Sequence, residues 1–188
     1  MVKVIQLFKN ESSLIKRAVA GKRDAQKRIY ELYSPKMLSV CRQYIKDLHH
    51  AEEIMLTGFL KVFTHLKSFK SEGSFEGWIR KIMVREAISF LRKQKKLEFQ
   101  DDEVFSVQDA YNNINSEMEV AEIQSLIDAL PEGYKTVFVM YAVEGYGHAE
   151  IAEMLEISEG TSKSQLFKAR KLLQQKLIKI NNSDYGAN

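Results

Sequence analysis

Apolar residues recur every three to four positions along almost the whole of this chain, while the two-residue alternation of a half-buried strand is nearly absent. Such a period commits a sequence to helices packed on helices. Only two prolines and nine glycines interrupt it. The spacing predicts helices near 11–20, 24–46, 50–68, 74–94, 117–129, 134–143, 147–155 and 159–180. Pro35 reads as an interruption of the second helix and Pro131 as the start of the sixth.

The period fails once, between residues 97 and 116. That stretch carries Glu98, Asp101, Asp102, Glu103 and Asp109 and no Lys or Arg. A segment of this length without structure of its own is functional or flexible. The expected fold is therefore all-α: two small helical domains, 1–96 and 117–188, joined by an acidic flexible linker at 97–116.

Charge is distributed unevenly around that linker. From Lys61 to Lys96 there are ten basic residues against three acidic ones, and 159–179 holds six against one. The formal net charge of the whole chain is only +3. Two basic modules on either side of an acidic stretch suggest two separate contacts with nucleic acid.

The segment from Gly145 to Lys171 has the layout of a helix-turn-helix, whose second helix fits the major groove of duplex DNA. Ile151, Ala152 and Leu155 share one face of the first helix. Ser158 is placed to cap the second, its hydroxyl accepting from an unpaired backbone N–H. Leu166, Ala169, Leu173 and Leu177 repeat at helical spacing as a buried stripe, leaving Lys163, Ser164, Gln165, Lys168 and Arg170 largely off it. Gln reads adenine bidentately, and Lys and Arg meet guanine edges or phosphates. Glu156 falls in the turn, where a left-handed backbone favours Gly or Asn and any other residue costs roughly 1 kcal/mol. The competing reading of this segment is an amphipathic hairpin with a solvated basic face.

A second constellation runs from Gly73 to Lys93. Ile79, Ile82, Met83, Ala87, Phe90 and Leu91 form an apolar face, and Arg80, Lys81, Arg85 and Arg92 occupy much of the rest. Phe69, Phe75 and Trp78 gather around the Gly/Ser loop at the helix start. Cations interleaved with aromatic rings suit unpaired DNA, because bases stack on rings while the backbone follows positive charge. Phe75 and Trp78 as ordinary core residues, and Lys93 to Lys96 as a solvated helix end, are the competing readings.

With both constellations, the chain resembles the sigma-70 family of bacterial RNA polymerase initiation factors, and within it the extracytoplasmic-function (ECF) group. The most specific parts are Gly73-Ser-Phe-Glu-Gly-Trp-Ile-Arg-Lys-Ile82 and Leu130-Pro-Glu-Gly-Tyr-Lys-Thr-Val-Phe138, followed by the helix-turn-helix. Roughly 10–94 looks like the second sigma domain and 117–180 like the fourth. The resemblance implies promoter DNA and core RNA polymerase as partners, and raises an anti-sigma factor as a third. It implies that Phe75, Trp78, Arg80, Lys81 and Arg85 melt and hold the −10 element. Lys163, Ser164, Gln165, Phe167, Lys168 and Arg170 would read the −35 element as duplex. The helix around Ala51–Phe63 would dock on polymerase through Glu52, Glu53, Leu56, Thr57 and Lys61. At Leu56-Thr57 the chain departs from the Gln-Glu or Gln-Asp usual in the family. The acidic linker would run toward the RNA exit path, its charge standing in for RNA.

Other function classes fit less well. The histidines His49, His50, His65 and His148 lack the spacing of a metal set, and no phosphate-binding glycine loop or nucleophile elbow is present. No catalysis, cofactor or metal is expected. Cys41 stands alone in an apolar helix, which excludes an internal disulfide and fits a structural thiol. The first nine residues lack the apolar run of a secretory signal, and no stretch approaches a membrane span, so a cytoplasmic protein without membrane insertion is expected. A ligand-controlled DNA-binding regulator would explain the helix-turn-helix. It would not explain the basic, aromatic-flanked helix in the N-terminal half.

Overall fold

The computed structural model describes residues 2–94 and 120–185. The acidic linker expected at 97–116 lies outside them. Every element among the described residues is helical, and they divide into two compact units, Met1–Phe90 and Leu91–Asn188.

The first unit is built from α1 (Val2–Val19), α2 (Arg23–Tyr44), α3 (Leu48–Thr64), a 3₁₀ turn (Leu66–Ser68) and α4 (Phe75–Lys93). Pro35 does not interrupt α2 as expected; the helix runs through it. An interior proline costs one backbone bond and about 3 kcal/mol. Here Pro35 is exposed, while Ala25 and Ile29 before it and Met37, Val40, Cys41 and Tyr44 after it are all buried. Packing on both sides outweighs the local preference.

The corner between α2 and α3 is held by polar groups. Arg42 donates through Nη1 to the carbonyls of Ile45 and Lys46, 2.6 Å each. Asp47 caps α3 by accepting from the His50 N–H at 2.9 Å. That bond, the largest cause, holds the Asp47 carboxyl below its usual value. Tyr33 donates to Glu11, tying α2 to α1. The core of the unit joins Ile29, Met37, Tyr44, Phe59, Leu66, Phe75, Ile79 and Met83, all at most 2% exposed.

The second unit contains α5 (Val120–Asp128), α6 (Glu132–Phe138), a π-helical turn (Val139–Val143), α7 (His148–Leu155) and α8 (Glu159–Tyr185). Pro131 stands at the N-cap of α6, as expected of a residue whose missing N–H costs nothing there. The sixth helix was expected at 134–143. It starts two residues earlier, and its last five residues widen into the π turn. Val137, Val139, Met140, Ile151, Leu155, Leu166 and Ala169 are at most 4% exposed and form the core. Lys135 is wholly buried, its Nζ 3.6 Å from Asp128 and 3.5 Å from Glu132, so a buried charge joins the end of α5 to the start of α6.

Candidate nucleic-acid interface

In the second unit, local chemistry sets the helix-turn-helix. The Gly147 N–H donates to the Glu150 carboxylate at 2.9 Å, securing the start of α7. The helix ends at Glu156, whose backbone is left-handed at φ 58° and ψ 44°. The Ile157 N–H then returns to the Ala152 carbonyl at 3.0 Å. Ser158 Oγ accepts from the Thr161 N–H at 2.9 Å and opens α8. Both the strained turn residue and the cap stand where the sequence placed them.

Packing against this turn decides which side of α8 remains open. Ser162, Gln165, Leu166 and Ala169 face inward, at most 4% exposed. Lys163, Phe167 and Arg170, spaced i, i+4, i+7, share a face in which both cations are exposed and the ring is half-buried. Lys163 lies 3.7 Å from Glu159 in a solvent-exposed pair, a contact that contributes little and gives way readily to a phosphate. Ser164 Oγ donates to the Thr161 carbonyl at 3.0 Å, leaving its lone pairs available. Two aromatic rings support cations of α8: Lys168 Nζ lies 6.0 Å from the Tyr134 ring centre and the Arg170 guanidinium 5.6 Å from that of Tyr141.

In the first unit, Ser74 Oγ accepts from the Gly77 N–H at 3.2 Å at the start of α4. The loop before it turns through Ser71 and Gly73, both with positive φ. Phe69, Phe75 and Trp78 form one cluster, with ring centres 5.0 to 5.8 Å apart, and Tyr33 packs edge-on against Phe75. Trp78 is half-buried and shares a face of α4 with the exposed Lys81 and Arg85. Arg80, one position off that face, is half-buried. Trp78 thus stands beside two exposed cations, a surface suited to unstacked bases.

The comparisons with known proteins agree with this geometry. Residues 29–97 match the family model "Sigma-70 region 2", and 121–173 match "Sigma-70, region 4". The RNA polymerase sigma factor SigV of Bacillus subtilis is 30% identical over 141 residues, which cover 72% of this chain and 81% of that protein. The chain belongs to the sigma-70 family. The ECF RNA polymerase sigma factor SigW of the same organism is 28% identical over 176 residues, 87% of this chain and 94% of the relative, and the chain falls in the ECF group. Among solved structures, the sigma factor RpoE of Bartonella quintana, crystallised with the anti-sigma factor NepR, shares the fold. Its TM-score is 0.52 at 19% identity, covering 82% of this chain and 96% of that one. Sigma-70 factors act in transcription initiation, and that is the function of this chain.

Within this sigma fold, two residues expected at the DNA surface are placed elsewhere. Gln165, expected to read a base, is wholly buried. It lies four residues before Ala169, on the edge of the packed stripe rather than opposite it. Phe75, expected to hold the −10 strand, is 2% exposed and backs Trp78 from inside. On α3, Glu53, Leu56, Thr57 and Lys61 are exposed and Glu52 is half-buried. Lys61 is engaged within the unit, its Nζ 2.6 Å from Glu86 of α4. Leu60, which was not singled out from the sequence, is 67% exposed beside Leu56 at 54%.

The sequence assigns Tyr141 no role and weighs His148 only as a metal ligand, because the stacking that joins the two rings depends on the fold. Burial is the first cause holding the His148 imidazole below its ordinary value, and the neighbouring Lys163 charge is the second. Among the described residues, no group of three or more His, Cys, Asp or Glu is placed to hold a metal ion. None of the described helices is long and apolar enough to cross a membrane.

Proposed function

We propose that the chain directs core RNA polymerase to promoters by reading two elements with two separate surfaces. The second domain, 1–96, docks on polymerase through the α3 face of Glu52, Glu53, Leu56, Thr57 and Leu60, and opens the −10 element at Trp78, Arg80, Lys81 and Arg85. The fourth domain, 117–188, holds the −35 element as duplex through Lys163, Ser164, Phe167, Lys168 and Arg170. The acidic stretch 97–116 joins them. The carrying observation is the open face of α8, where Lys163, Phe167 and Arg170 lie together outside the packed stripe.

In this reading the chain performs no chemistry of its own. Polymerase makes the RNA, and the sigma factor contributes sequence choice and strand separation in the cytoplasm. Extruding a base costs a few kcal/mol, which the cations and the Trp78 ring offset by holding the unpaired strand. An anti-sigma factor, of the kind crystallised with the Bartonella quintana relative, is the expected antagonist. The test is reconstitution with core polymerase on genomic fragments, with mapping of transcript starts. Defined new start sites are expected. No stable polymerase complex and no promoter-specific transcript would end the reading.

A further inference from the structure

A closed path of contacts begins and ends on α8. Ser162 is wholly buried in an early turn of the helix, and its Oγ lies 2.9 Å from His148 Nδ1, at the first residue of α7. The His148 ring stacks on Tyr141, with centres 4.8 Å apart and planes inclined by 25°. Tyr141, on the π turn, in turn carries the Arg170 guanidinium 5.6 Å from its ring centre. The path therefore leaves α8 at Ser162 and rejoins it at Arg170, about two turns further on. Tyr141 is a third exposed, so the stack sits at the surface beside the open face of the helix.

We propose that Tyr141 and His148 are positioning residues for the −35 contact: His148 holds the Tyr141 ring in place, and that ring holds the Arg170 guanidinium. This rests on the assignment of α8 to duplex DNA. An arginine side chain has many rotamers, and a DNA contact must otherwise order them at the moment of binding. A guanidinium already resting on an aromatic face presents its donors with less to lose. The imidazole also suits its place electrostatically. Burial first, and the Lys163 and Arg170 charges after it, disfavour its protonation while Glu159 opposes them, so the ring adds little positive charge beside those cations.

The test uses holoenzyme assembled from this chain and core polymerase, titrated onto a fluorescent duplex bearing the −35 element of a promoter mapped with that same holoenzyme. Tyr141→Ala is expected to weaken binding about two- to fivefold, the range of an exposed cation–π contact. Tyr141→Phe keeps the ring and is expected to restore binding. His148→Ala is expected to weaken binding in the same direction and to add nothing to Tyr141→Ala. In an Arg170→Ala background, Tyr141→Ala should have no further effect, because its action passes through Arg170. Equal binding by Tyr141→Ala and the unmodified protein overturns the proposal. So does an equal loss with and without Arg170, which marks a structural role only. Failure of the unmodified holoenzyme to bind any mapped duplex overturns the −35 assignment itself as well.

Discussion

Gly58 of α3 lies directly against the thioether of Met83 on α4, so that a Cβ at residue 58 would overlap the sulfur. Met83 is itself wholly buried, so its thioether must shift within the packed core to admit one. This contact brings α3 and α4 close together at residue 58. Gly58→Ala is expected to destabilise the first unit by about 1–3 kcal/mol, the range for overpacking a closed core. Urea unfolding followed by fluorescence of Trp78, the single tryptophan, reads this unit selectively. In a Met83→Ala background the loss should shrink. An unchanged midpoint for Gly58→Ala would remove the close approach.

Cys41 is buried, and burial pushes its thiol from 9.0 up to about 12. The folded chain thus keeps the proton where the unfolded chain releases it. The associated stability is fully present below about pH 9 and is lost as pH rises toward 12. Native protein at pH 8 is expected to resist a thiol reagent that labels the urea-unfolded chain at once. The alkaline loss of stability should be shallower in Cys41→Ala. Rapid labelling of the native protein would contradict the buried placement.

The recognition turn offers two substitutions of opposite sign. Ser158→Ala removes the side-chain cap on the Thr161 N–H and is expected to cost about 1 kcal/mol. Glu156→Gly relieves a left-handed backbone and is expected to gain about 0.5–1 kcal/mol. Hydrogen exchange of the α7 and α8 amides measures both. Equal protection in the two variants would show that the turn does not limit local opening.

Much of this architecture is legible in the sequence, because helical period, capping residues and charge runs are local signals. Ser158 and Glu156 show this directly: one side chain and one backbone conformation were assignable from chemistry alone. The errors share a different cause. Gln165 differs from an exposed position by one step around the helix, and the width of the packed stripe is set by what α7 lays across it. Phe75 reads as a surface aromatic beside glycines until Tyr33 and Phe69 close over it. Pro35 is a strong local breaker overruled by buried neighbours on both sides. Tyr141 owes its place to a π turn that no local residue announces. Tertiary packing, not propensity, decides each of these.

The proposed division of labour between two surfaces can be checked on one promoter measured two ways. On a promoter mapped with the reconstituted holoenzyme, duplex binding and permanganate reactivity of −10 thymines are measured for Lys163→Ala and for Trp78→Ala. Lys163→Ala is expected to weaken duplex binding by about 1–3 kcal/mol, while strands still open once the complex is saturated. Trp78→Ala is expected to leave duplex binding intact and reduce opening. Loss of opening in Lys163→Ala at saturation, or full opening in Trp78→Ala, would contradict the division.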